Sequence, residues 1–188
     1  MKHNQRIKPA ESAGKTGQLY HAAQAALGVV PNAFKVLGNS PAALAGYMEF
    51  GAALQTGVLS AQVREQIALT VAEANLCDYC LSAHTFMGEK CGVSEQELAA
   101  ARNANSKSPK TDAILKLARA IVLERGEISD AEMGKAISAG ITEAEIVETV
   151  ANVAINIFTN YINHVARTAI DFPEVKAGCG AEGCGCQH

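Results

Sequence analysis

In the run Cys77-Asp78-Tyr79-Cys80-Leu81-Ser82-Ala83-His84, residue types and spacing can do chemistry. On a helix, Cys77, Cys80 and His84 fall at i, i+3 and i+7 and share one face, with Cys80 and His84 four residues apart. Two thiols and an imidazole then converge. A C-x-x-C pair in a first helical turn sits at the positive end of the helix dipole, where unpaired N–H groups favour the thiolate, the nucleophilic form of cysteine. Asp78, a nearby negative charge, opposes a very low thiol pKa. Two other readings use the same residues. One is half a zinc site, completed by His84, His164 or the C-terminal cysteines, although no second C-x-x-C or H-x3–5-H stands at zinc-finger spacing. The other is a pair of buried, inert thiols.

Glu65 lies twelve residues before Cys77. In one straight helix, a rise of about 1.5 Å per residue would hold it roughly 18 Å away. If the chain instead turns near Asn75-Leu76, Glu65 comes level with His84 to Met87 and can orient the imidazole in a Glu65-His84-Cys80 relay. A second group of soft ligands closes the chain: Cys179, Cys184, Cys186 and His188, spaced C-x4-C-x-C-x-H on a Gly-rich backbone. Such a set can wrap a thiophilic ion such as Cu(I) or Zn(II). It also reads as an untidy terminus, or as thiols that reduce a Cys77–Cys80 disulfide of the same or a neighbouring subunit. His164, after Asn163 on the last helix, reads either as a residue lining the same site or, more commonly for a lone His, as a packed or interface residue, and Cys91 reads as a packed thiol.

The elements that must position these groups are helices, and the fold class expected is all-α. Aromatics are 5%, Trp is absent, and no stretch alternates apolar and polar residues in the manner of a strand. Ser40 before Pro41, Ser60, and Ser108 before Pro109 read as N-caps. Ser94 with Glu97, Ser129 with Glu132 and Thr142 with Glu145 read as capping boxes. Apolar stripes such as Ile114, Leu117, Ala118, Ile121 and Val122 mark buried faces. The expected helices cover 16–28, 32–38, 41–56, 61–74, 77–91, 95–103, 109–125, 130–139 and 143–169, the last with a break near Asn156 to Asn160. One domain over 1–173 and a flexible Gly/Cys-rich tail over 174–188 follow from the single composition shift, after Pro173.

The chain has 188 residues, 48% hydrophobic and 19% charged, with a formal net charge of -3. That balance fits a globular protein and leaves no basic footprint for nucleic acid or anionic lipid. The most apolar late segment, Ile146 to Phe158, is interrupted by Glu148, Asn152 and Asn156, so no membrane span is expected. The opening residues lack an apolar signal region, which points to the cytoplasm, where thiols stay reduced and six cysteines read as redox or metal groups. Apolar residues on several sides of the last helix, among them Ile155, Ile157 and Phe158, point to a homo-oligomer.

Glu65, then Cys77-x-x-Cys80-x-x-x-His84 after a helix opening Leu59-Ser60-Ala61-Gln62-Val63-Arg64, resembles the E-x11-C-x2-C-x3-H signature of AhpD-like proteins in the carboxymuconolactone decarboxylase superfamily. The likeness extends less sharply from Val30-Pro31-Asn32 to Asn163-His164 and Pro173. It implies an all-helical fold assembled into trimers or hexamers and a thiol-dependent peroxidase or disulfide reductase activity on small peroxides. By the same resemblance, Cys80 would attack the peroxide, Cys77 would resolve the sulfenic acid, and Glu65 and His84 would relay the proton. A thioredoxin-like or lipoyl reductant would regenerate the pair, with no metal or flavin in the core. Tyr79 stands where some members carry a second His. The decarboxylase branch usually lacks the cysteine pair.

Overall fold

A computed structural model describes residues 6–178, and among them the secondary structure is entirely helical. In chain order the helices are α1 (Gly14–Leu27), α2 (Asn32–Leu37), α3 (Pro41–Gln55), α4 (Ala61–Ala74), α5 (Asp78–Lys90), α6 (Glu95–Arg102), α7 (Pro109–Leu123), α8 (Asp130–Ser138) and α9 (Glu143–Ala166). Ser40, Ser60 and Ser108 each accept the N–H three residues on, which stops α3, α4 and α7 from fraying at their starts. Ser129 and Thr142 form reciprocal capping boxes with Glu132 and Glu145. The box expected at Ser94 is only half made. The Glu97 carboxylate turns away to accept from Ser106 Oγ at 2.8 Å and Lys107 N at 3.2 Å, pinning the α6–α7 loop instead of its own cap.

Helix α4 is the axis of the core: Gln66 through Ala72 are all buried, and α5, α6, α7 and α9 pack around it. Burial on every side explains why its central run shows no clean polar face. α9 runs unbroken from Glu143 to Ala166, without the break expected near Asn156 to Asn160. Asn152 and Asn156 donate back to the carbonyls of Glu148 and Asn152, both at 2.8 Å, so these amides are satisfied within the helix. The helix ends at Ala166, three residues earlier than the periodicity suggests, because Arg167 turns left-handed at φ 51°.

Residues 174–178, assigned to the tail on composition, lie across the start of α5. Val175 N donates to Ser82 Oγ at 2.9 Å, Ala177 N to Asp78 Oδ1 at 2.9 Å and Gly178 N to Glu73 Oε1 at 2.6 Å.

Candidate functional site

The turn between α4 and α5 builds the site. Leu76 adopts φ 54° and donates its N–H to Glu73 O at 3.0 Å, while Cys77 N donates to Ala72 O at 2.9 Å, the paired bonds of a Schellman motif. A leucine stands where glycine is the usual choice, with its side chain 62% exposed. Cys77 thereby closes α4 with its backbone and caps α5 with its sulfur, which accepts from Cys80 N at 3.4 Å. The reversal lays α5 back along α4, and Glu65 Oε2 meets His84 Nδ1 at 2.8 Å. A carboxylate can only accept, so Nδ1 carries the hydrogen and Nε2 is left to take and give a proton.

Both thiols are buried, Cys77 at 2% and Cys80 at 3% exposure, with sulfurs 2.7 Å apart and no disulfide between them. Their ionisations are driven in opposite directions. Cys80 is lowered to about 7, first by the hydrogen bond it accepts from Cys77, against the cost of burial, and then by the His84 charge and the Asn163 amide, whose Nδ2 donates to Sγ at 3.3 Å. Cys77 is raised, by donating that bond, by burial and by the charge of Cys80. Burial alone would lower His84, but the charge and hydrogen bond of Glu65 and the charge of Cys80 prevail and raise it. The two shifts act together, moving Cys80 toward the thiolate and His84 toward the imidazolium.

Two clefts flank the pair. One of about 310 Å³ reaches the Glu65–His84 pair and is lined also by Tyr47, Met87, Cys91 and Asn156. The other, of about 320 Å³, opens on Cys77 between the start of α5 and the end of α9, with Asn163, His164, Arg167 and Thr168 in its wall.

Residues 41–106, which hold all four of Glu65, Cys77, Cys80 and His84, match the carboxymuconolactone decarboxylase family. Over that segment the chain is similar to the carboxymuconolactone decarboxylase family, which supports the AhpD-like resemblance of its sequence. Solved structures extend the likeness of fold over most of its length. A peroxidase-related protein with an alkylhydroperoxidase AhpD core from Ralstonia eutropha superposes with a TM-score of 0.77 at 22% identity, covering 89% of this chain and 92% of that one. A peroxidase-related protein from a Silicibacter species gives 0.77 at 21% identity over the same shares. The debrominase Bmp8, solved with 2,3,4-tribromopyrrole, gives 0.76 at 18% identity, again over 89% and 92%. Comparison with curated proteins gave no significant match.

Several residues around the C-x-x-C-x-x-x-H run escaped the sequence reading. Asn163 and Asn160 come from α9, more than seventy-five residues beyond the cysteines, and no local spacing links them. Asn160 Nδ2 is buried and makes no well-formed hydrogen bond, yet the amide is turned to Cys80 as a donor and favours its thiolate. Tyr47, on α3, is pushed up to about 12 by burial and by the charges of Cys80 and Glu65. Tyr79 lies outside the proton path. Its hydroxyl accepts from Ala33 N at 3.0 Å and donates to Asp171 Oδ1 at 2.8 Å, tying α5 to α2 and the C-terminal segment. His164 Nε2 bonds Asn75 O at 2.8 Å at the end of α4. Cys91 lines the His84 cleft, and burial raises it. Cys179, Cys184, Cys186 and His188, read as metal ligands, lie outside the described residues. No helix among the described residues is long and apolar enough to cross a membrane.

Proposed function

We propose that this protein is a cysteine-based peroxidase or disulfide oxidoreductase in which Cys80 is the attacking thiolate and Cys77 the resolving thiol. The observation that carries the reading is the opposed ionisation of two adjacent thiols beside a carboxylate-held imidazole. The Cys80 thiolate attacks one peroxide oxygen, the O–O bond breaks, and the departing alkoxide takes the proton of His84 to leave as alcohol. Cys80 becomes a sulfenic acid, and the buried Asn160 Nδ2 gains an oxygen to which it can donate. Oxidation also removes the charge and the acceptor that raise Cys77. Cys77 then attacks the Cys80 sulfur, the S–O bond breaks, and water leaves as the disulfide forms. The balance is one peroxide and two thiols giving alcohol, water and a disulfide. An external dithiol of thioredoxin-like or lipoyl type would restore the pair.

A peroxide would enter through the cleft that ends on Glu65 and His84, since the His84 imidazole must meet the leaving oxygen. The names of the Ralstonia and Silicibacter neighbours agree with peroxide chemistry. The test is to add tert-butyl hydroperoxide to reduced protein carrying Cys179→Ser, Cys184→Ser and Cys186→Ser and map the thiols: loss of Cys77 and Cys80 together supports the reading, and unchanged core thiols contradict it.

The working form is proposed to be a homo-oligomer. Val147, Val150, Phe158, Tyr161 and Val165 are exposed on α9, and with Ala154 they follow a spacing of three and four residues along one face. A stripe of that period fits a second copy of itself.

A further inference from the structure

We propose that the cleft beside Cys77 receives this chain's own C-terminal segment, whose thiols take over the disulfide formed between Cys77 and Cys80. The inference rests on the thiol chemistry proposed above and adds a second redox site to it.

Three observations carry it. The first is where the described chain ends. Lys176 Nζ bonds Asp78 Oδ2 at 3.1 Å, Ala177 N bonds Asp78 Oδ1 at 2.9 Å and Gly178 N bonds Glu73 Oε1 at 2.6 Å, so the exit point is held against the residue next to Cys77. Asp78 is also a wall of the cleft. Cys184 is six residues past Gly178, and at most about 3.6 Å per residue gives a reach of roughly 20 Å, ample for that wall. The second observation is the cleft itself. Asn163 Oδ1 and Thr168 Oγ1 are buried in its wall without partners, although a peptide backbone entering there could satisfy both. Arg167 stands at its edge, and the segment carries Glu182 two residues before Cys184. The third is which sulfur the cleft touches. Cys77 lines it and Cys80 does not.

The exchange balances without a further reactant. A tail thiolate attacks Cys77 Sγ, the Cys77–Cys80 bond breaks, and the electron pair leaves on Cys80, where Asn163 and His84 receive a thiolate. A second tail thiol, losing its proton, attacks the first tail sulfur and releases Cys77, which takes a proton. The core gains two electrons and the tail loses two, ending as a tail disulfide open to an external dithiol. Stabilising the reduced core makes its disulfide the stronger oxidant, which drives transfer outward.

The full chain, reduced and given one equivalent of hydrogen peroxide, is quenched in acid, alkylated and mapped by mass. The expected result is free Cys77 and Cys80 with a joined tail pair, whereas a Cys179→Ser, Cys184→Ser, Cys186→Ser variant keeps the core disulfide. Arg167→Glu should slow the transfer roughly tenfold while leaving core oxidation unchanged. Persistence of the core disulfide beside free tail thiols in the unaltered chain overturns the proposal. So does a tail disulfide that forms equally fast in Cys80→Ser. Mixing the tail variant with a Cys77→Ser, Cys80→Ser chain tests the occupant: clearance of the core disulfide by the second chain's tail means that another copy is the donor and refutes an own-chain occupant. Failure of the tail variant to form any Cys77–Cys80 disulfide would count against the peroxidase reading itself, a different outcome from failed transfer.

Discussion

On one side of the first turn of α5, Cys80 sits among Asn163, Asn160 and the Glu65–His84 pair, and its thiol is lowered to about 7. On the other, Cys77 faces a cleft whose acid and base, Asp78 and His164, are already bonded to Lys176 and to the Asn75 carbonyl. The two thiols share a helix terminus and its dipole, so the dipole cannot be what separates them. What separates them is the direction of one hydrogen bond and the side from which a cation acts. A C-x-x-C pair is thus chemically asymmetric before any substrate arrives.

The largest effect expected is from Cys80→Ser, which should abolish peroxide turnover, measured by a coupled peroxide assay with an external dithiol. Cys77→Ala should remove the foremost cause of the Cys80 shift and lift its ionisation by a unit or more, about 1.4 kcal/mol each, while sulfenic acid accumulates for a dimedone-type probe to trap on Cys80. Trapping on Cys77 in the reciprocal Cys80→Ser variant would reverse the roles. His84→Gln should raise Cys80 by less than Cys77→Ala does, and Glu65→Gln by less again, because it acts through the imidazole. The double variant should be little worse than His84→Gln alone, and additive losses would break the relay. Tyr79→Phe should leave the Cys80 midpoint in place and cost about 1–3 kcal/mol in urea unfolding, since the buried Ala33 N–H loses its acceptor. Smallest at the site would be Val150→Glu, which should shift the sedimentation of an oligomer toward the monomer without altering the thiol midpoint.

The helices, their serine caps and the converging Cys77, Cys80 and His84 are legible in the sequence because they depend on neighbours within a turn or two. The α4–α5 reversal was visible only as one of two geometries, since Leu76 gives no signal that it will turn left-handed. α9 was hardest to read because it is inverted. Thr149, Asn152, Asn156, Asn160 and Asn163 face inward beside Val153, where Asn160 and Asn163 serve Cys80, and Val147, Val150, Phe158, Tyr161 and Val165 face outward. Counting polar residues as the solvent face assigns both sides wrongly. The half-made box at Ser94 has a similar origin, for Glu97 has better partners in a loop that no local rule connects to it.

The central claim is the asymmetry of the pair, and the rate of Cys80 alkylation by iodoacetamide against pH, followed by peptide mapping, tests it most directly. The account predicts a midpoint near the value of about 7 given by its surroundings, with the Cys77 peptide unmodified throughout that range. The rate at neutral pH should fall as His84→Gln and Cys77→Ala move that midpoint upward. A Cys80 midpoint at the ordinary thiol value near 8.5, or Cys77 alkylated first, would contradict it.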